Sequence, residues 1–233
     1  MKKYIIVCSA AIVLIAMAIS FLYIKTGGNS SKLPATEASG GLRGEFGIDK
    51  NINEENIDKY LSRDDSVYYD MRMLIDDAAY ENISGDAYLS GFVKGFEIIP
   101  YPYLAPVTNL PEEVGEPYHG KALFSVNEKN EYIPNYEESV EVLEYFFPKD
   151  KNIFLMCGGG GYAGMTKTML VALGWDENKI YNVGGYWYYN GKNNVNVKRI
   201  NSDNSVSYDF WKVPYHNIDF DKLHEVKGWK DDG

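Results

Sequence analysis

Residues 153–174 read Ile-Phe-Leu-Met-Cys-Gly-Gly-Gly-Gly-Tyr-Ala-Gly-Met-Thr-Lys-Thr-Met-Leu-Val-Ala-Leu-Gly. The run 153–156 is continuously apolar, the mark of a strand buried on both faces, whereas Met165, Met169, Leu170 and Leu173 recur at helical spacing. The period changes at Cys157. A thiol is therefore expected at the end of a buried strand, ahead of a glycine run and a helix start. Unpaired backbone N–H groups and the positive end of the helix dipole converge at such a point. They favour thiolate over thiol and can depress the pKa of the cysteine. The same amides would cradle an anion at the sulfur.

Outward from this stretch, strands and helices continue to alternate. Upstream, Asn135 and Glu138 form a variant capping box, and Tyr136, Val140, Leu143 and Phe147 give a helical apolar stripe ended by Pro148. Downstream of Gly174-Trp175, residues 179–183 read as a strand that Gly184-Gly185 terminates. Tyr186, Trp187, Tyr188 and Tyr189 then form either a wall against the loop or ordinary aromatic packing, the second being preferred. Farther upstream, Met73-Leu74-Ile75 is a predicted buried strand ending in Asp76 and Asp77, followed by a short helix from Ala78. Residues 53–61 predict a helix capped by Asn53, residues 91–100 a glycine turn and an extended segment, 101–120 a loop and 121–126 a strand. Residues 195–200 and 206–210 flank Asn-Ser-Asp-Asn-Ser and predict a hairpin at the C-terminal end. The order predicts an α/β domain with a mainly parallel central sheet flanked by helices, its site at the carboxyl ends of the strands.

The chain has 233 residues and a net charge of −10. Three of its 23 cations and none of its acids lie in residues 1–25, leaving 20 against 33, or −13, for the remainder. Such a domain is a poor partner for nucleic acid. Lys2 and Lys3 precede an uncharged apolar stretch of 21 residues, 4–24, closed by Lys25; it is long enough to cross a bilayer as a helix. Residues 1–25 are thus expected to be a membrane anchor or signal peptide, with the positive-inside tendency placing the domain outside. Apolar residues continue past Ala16-Met17-Ala18, a small-residue cleavage site, which favours a single uncleaved span in the cell membrane over secretion after cleavage. Residues 26–47, rich in Gly, Ser, Thr, Pro and Ala without an apolar period, are predicted to be a flexible linker. Residues 48–226 remain for the folded domain and its C-terminal extension.

Only Cys8 and Cys157 occur, so no disulfide is available within the domain, and a lone thiol outside the cytoplasm points to chemistry. His119, His216 and His224 show no ligand spacing with Cys157 or one another, and neither a metal nor a cofactor is expected. The sequence does not set an oligomeric state.

Cys157, Gly174-Trp175, Ile180-Tyr181-Asn182-Val183 and Gly184-Gly185 follow one another in a way that resembles the rhodanese-like (sulfurtransferase) family. That family runs through a strand, a catalytic cysteine opening a short loop, a helix, Gly-Phe or Gly-Trp, Val-Tyr-Asn-Leu and Gly-Gly. Upstream, Ile75-Asp76 resembles its Ile-Asp strand end, and Gly91, Val93, Gly95, Ile99 and Pro100 fall in register with its Gly-His-Ile-x-Gly-Ala-x-x-Ile-Pro signature. The resemblance covers residues 65–190 and implies a rhodanese-like fold. It also implies that Cys157, as thiolate, takes the outer sulfur of a small-molecule donor such as thiosulfate, carries it as a persulfide and passes it to a thiol or other nucleophilic acceptor. Main-chain N–H groups of Gly158, Gly159, Gly160, Gly161, Tyr162 and Ala163 would hold that persulfide.

Several positions depart from the family pattern. Its loop commonly carries arginine or lysine right after the cysteine and five positions on, where Gly158 and Tyr162 stand. Asp77-Ala78 follow where an arginine often succeeds Ile-Asp-Val, and Phe92 replaces a histidine. Without those charges, attraction for thiosulfate is expected to be weak, with Lys167, one helical turn in, compensating in part. The alternative is a non-catalytic module that uses the glycine loop, Tyr162 and residues 186–189 to bind a small ligand or a partner protein. Ala163, standing where a cysteine phosphatase needs its arginine, argues against phosphate chemistry. Gly159 and Gly164 have the separation of a phosphate-binding loop but lead into Met165-Thr166 where lysine and a hydroxyl are required.

Overall fold

The computed structural model describes residues 32–226 apart from Leu42, Gly44 and Asn109. Cys8 and the apolar stretch 4–24 lie outside the described residues. Among the described residues no helix is long and apolar enough to cross a membrane. In chain order the strands are β1 (Ser66–Asp70), β2 (Gly91–Val93), β3 (Glu97–Ile98), β4 (Phe124–Val126), β5 (Tyr132–Pro134), β6 (Asn152–Cys157), β7 (Ile180–Gly185), β8 (Asn194–Asn196), β9 (Lys198–Ile200) and β10 (Val206–Tyr208). The α-helices are α1 (Tyr101–Leu104), α2 (Ser139–Phe146) and α3 (Gly161–Ala172). β3, β1, β6 and β7 lie side by side in that order as a wholly parallel central sheet with helices around it.

β6 pairs with β1 on one edge and β7 on the other, so its backbone is satisfied in the sheet and both its faces are covered. That is why its sequence reads as one unbroken apolar run. Alternate side chains still go opposite ways. Phe154 and Met156 join a core with Ile52, Ile57, Tyr68, Tyr181 and Val183. Ile153, Leu155 and Cys157 join the larger core with Tyr69, Ala163, Met169 and Leu170, placing the thiol on the face covered by α3. The register aligns Tyr68 and Tyr181 with Phe154 across three neighbouring strands. Their rings stack at 5.0 and 4.9 Å, each pair 11° from parallel. Such pairs contribute about 0.5–1.5 kcal/mol beyond area burial, and a slipped strand would forfeit both.

The parallel sheet and the strand, loop and helix around Cys157 agree with the sequence pattern. Other elements differ. The strand beside β6 is Ser66–Asp70 and not 73–75; Ile75 is 51% exposed and makes only an isolated bridge to Tyr88. Tyr68 and Tyr69 carry the true strand by filling one core each. The helices expected from Asn53 and Ala78 shrink to 3-10 turns at Ile57–Lys59 and Tyr80–Ile83. Around Asn53 the side chains of Asp49, Asn53 and Asn56 accept backbone N–H bonds and compete with the helix. The C-terminal hairpin is β9 with β10, while β8 pairs with β2.

Where a structureless linker was expected over 26–47, the described residues from 32 onward lie against the domain. Leu33 packs on the core beneath Tyr181, whose hydroxyl donates to Pro34 O at 2.8 Å. Buried Asp49 accepts the Glu37 N–H at 2.8 Å, and the Asp49 N–H donates to Asn182 O of β7 at 2.8 Å. Hydrogen bonding of the main chain, which leaves no hydrophobic period to read, orders this segment.

Candidate active site

Cys157 ends β6, opposite Gly185 of β7 after an irregularity in the pairing at Met156. Gly160 has φ +91°, a conformation open to glycine and strained for other residues. Its N–H thereby turns back to donate to the Cys157 Sγ at 3.1 Å. The amides of Ala163 and Tyr162, in the first turn of α3, lie close enough to lower the pKa of the sulfur. Of the six residues predicted to hold a persulfide, Gly160, Tyr162 and Ala163 therefore surround it. Gly158, Gly159 and Gly161 line the adjoining cavity.

Trp187 is the reason Gly158 must be small: a Cβ there would lie 2.4 Å from the indole. The Trp187 main-chain N–H donates to Gly158 O at 3.1 Å. Trp187 is thus a wall against the loop, whereas Tyr189 packs in the core.

Cys157 is only 3% exposed. Burial pushes its thiol above the ordinary value; the Ala163 amide opposes this, Asp70 adds to it, and the Gly160 and Tyr162 amides oppose it again. The depressed thiol pKa expected from the loop is not found. Three neutral N–H dipoles do not offset the loss of water around a thiolate.

Cations reach the site from outside the loop. Arg72, two residues beyond the end of β1, lines the same cavity as Cys157 with its side chain 7% exposed. Nε meets Asp70 Oδ1 at 3.0 Å, Nη2 meets Asp70 Oδ2 at 2.5 Å and Gly91 O at 2.7 Å, and the guanidinium covers the Tyr186 ring at 4.4 Å. Burial works against the Arg72 charge, but Asp70 more than restores it and holds the group protonated. Nη1 is buried and has no partner. Arg43 donates through Nε to Gly159 O. Lys167, by contrast, does not line the cavity: it is buried with its ammonium 4.6 Å over the Phe46 ring, and burial pushes its pKa down.

A chain of hydroxyls borders the same space. Tyr80 donates to the Tyr162 hydroxyl at 2.7 Å, and Tyr162 donates to Asp76 Oδ2 at 2.8 Å. Burial raises the Asp76 carboxyl above the usual carboxylate range, against the Ala78 amide and Tyr162 that lower it. Asp76, taken from sequence as a strand end, is a wall of the site.

These groups line a cavity of about 390 Å³, open to solvent past Tyr188 and Ile83. Sequence reasoning missed Arg43, Arg72 and Tyr80 as site residues, and offered Trp187 only as one of two readings of residues 186–189. Asp70-Met71-Arg72 carried a readable signal, an acid and a base on one side of a chain leaving a strand. Arg43 carried none, since its partner lies 116 residues away. The histidines lie elsewhere, each beside a single carboxylate: His119 with Glu116, His216 with Glu97 and His224 with Glu138. No group of three or more His, Cys, Asp or Glu side chains among the described residues could hold a metal ion.

In comparisons with known proteins, no family model, no curated protein and no solved structure matches the chain.

Proposed function

We propose that the chain is a rhodanese-like sulfurtransferase, held outside the cell membrane by residues 4–24, that carries sulfane sulfur as a persulfide on Cys157. The observation that carries this reading is the Gly160 N–H donated to Sγ at 3.1 Å, together with an Arg72 guanidinium in the same cavity that has an unfilled donor. Both favour negative charge in the cavity. Asp70-Met71-Arg72 also supports the resemblance better than Ile75-Asp76 does, because it supplies the arginine expected after the strand-end aspartate.

In the reaction, the Cys157 thiolate attacks the outer sulfur of the donor. The donor's S–S bond breaks and its leaving group departs with the electron pair. An acceptor nucleophile then takes the outer sulfur of the persulfide and returns the Cys157 thiolate. Incubation with inorganic polysulfide, followed by mass spectrometry, is expected to add one sulfur atom at Cys157 in the wild type and none in Cys157→Ser. A wild-type protein that stays unmodified overturns the reading.

One observation favours a non-catalytic binding module instead: the thiol is buried and its pKa pushed up, as in an inert core cysteine. Failure to load in the polysulfide experiment, with the fold intact, selects that module.

A further inference from the structure

The cavity at Cys157 combines two kinds of lining, charged or polar and apolar. Arg72 Nη1 and Trp187 Nε1 are both buried donors without partners, on two residues that line the cavity together with Cys157. Buried donors are costly to leave unfilled, so the site suits a ligand that offers acceptor atoms. Much of the remaining wall is apolar: Met73, Ile83, Leu110, Met165, Trp187 and Tyr188. Ile83 and Tyr188 are 39% and 51% exposed at the mouth. Tyr80 and Tyr88 add two more aromatic rings to the lining. The Trp187 indole is held against the Tyr80 ring at 5.6 Å and over Gly158, so it is fixed before any ligand arrives.

The charges do not suit thiosulfate. Arg43 and Arg72 face Asp76 and Asp86 in the lining, and Arg72 is already engaged by Asp70. A small dianion would find little net attraction and would leave most of the 390 Å³ empty. A molecule with one negative head and an apolar body suits both kinds of lining.

We infer that the sulfur donor for Cys157 is an organic persulfide bearing an aromatic body, its head against Arg72 and the loop amides and its ring against Trp187. This rests on the sulfur-transfer reading above. Because burial keeps the Cys157 thiol protonated, the incoming persulfide anion takes that proton, and the thiolate then attacks the outer sulfur. One S–S bond breaks and one forms: Cys157–SH and R–S–S⁻ become Cys157–S–SH and R–S⁻. Atoms, charge and oxidation level balance without a further reactant.

The test uses the intact chain and three donors: benzyl hydropersulfide, hydroxyethyl hydropersulfide and thiosulfate, with inorganic polysulfide as the reference. The rate of sulfur addition at Cys157 is followed by mass spectrometry. Benzyl hydropersulfide is expected to load faster than the hydroxyethyl compound by on the order of ten- to a hundredfold, and faster still than thiosulfate. Tyr188→Ala and Ile83→Asp, both at the exposed mouth, are expected to shrink the benzyl-to-hydroxyethyl ratio. Equal rates, or thiosulfate ahead, overturn the assignment of the donor while sulfur transfer stands. No loading from any donor, polysulfide included, overturns both.

Discussion

Arg72 and Asp70 form a buried ion pair, Nη2 2.5 Å from Oδ2, at the point where β1 brings its carboxyl end alongside Cys157. Both side chains are almost wholly out of solvent, at 7% and 0% exposure. Removing one partner leaves the other charge buried alone, which costs about 3–5 kcal/mol. Arg72→Met is expected to lose that much stability in urea denaturation, and Asp70→Asn combined with Arg72→Met to recover part of it. Additive losses in the double variant would show that the two residues are not coupled.

The Cys157 thiol follows the opposite logic to an exposed catalytic cysteine. Its raised pKa keeps it neutral at and somewhat above the ordinary thiol value of about 8.5. Alkylation by iodoacetamide in the empty protein is expected to be slow at neutral pH and still climbing beyond that value. A rate that reaches its plateau below neutral pH would contradict the burial argument.

Tyr162 links Tyr80 to Asp76, and Tyr162→Phe removes the link without changing shape. The Asp76 oxygen and the Tyr80 hydroxyl then lose a partner together. A loss of about 1–3 kcal/mol is expected by denaturant titration. No measurable loss would indicate that water replaces the hydroxyl.

Asp76 itself sets a pH dependence. A carboxyl whose folded pKa exceeds its unfolded value of about 3.9 holds its proton more tightly in the folded chain. The stability it contributes is full below that unfolded value and falls as pH rises through the window up to the folded pKa. Melting temperatures recorded across that acid window are expected to show a shallower decline for Asp76→Asn than for the wild type. Parallel curves would assign the decline to other groups.

Gly158→Ala places a methyl where the Trp187 indole now lies. Because the neighbour is a ring already packed on Tyr80, the change is expected to cost about 1–3 kcal/mol and to shift the tryptophan emission as the indole moves. An unchanged spectrum and stability would show that the loop has slack.

The central strand, the glycine turn and the following helix were legible because each is local: an apolar run, a set of glycines and a helical period adjoin one another in residues 153–174. β1 was misplaced because Tyr68 and Tyr69 face opposite cores and their hydroxyls mask them as apolar residues, while Met73-Leu74-Ile75 look like a buried strand yet are an irregular, partly exposed segment. The place of Cys157 at the end of that central strand was legible for the same local reason. Its surroundings were not: Arg43, Tyr80 and Trp187 come to Cys157 from distant parts of the chain. The sign of the thiol shift also escaped the sequence, since amide count can be read from a loop but depth of burial cannot.

The Arg43 bond to Gly159 O has a practical corollary. A recombinant fragment trimmed to begin at residue 48, the natural choice from hydropathy, would discard one guanidinium of the sulfur pocket and the strap along β7. Measurements on that shortened chain would describe a different reagent, so truncation series should start upstream of Leu33.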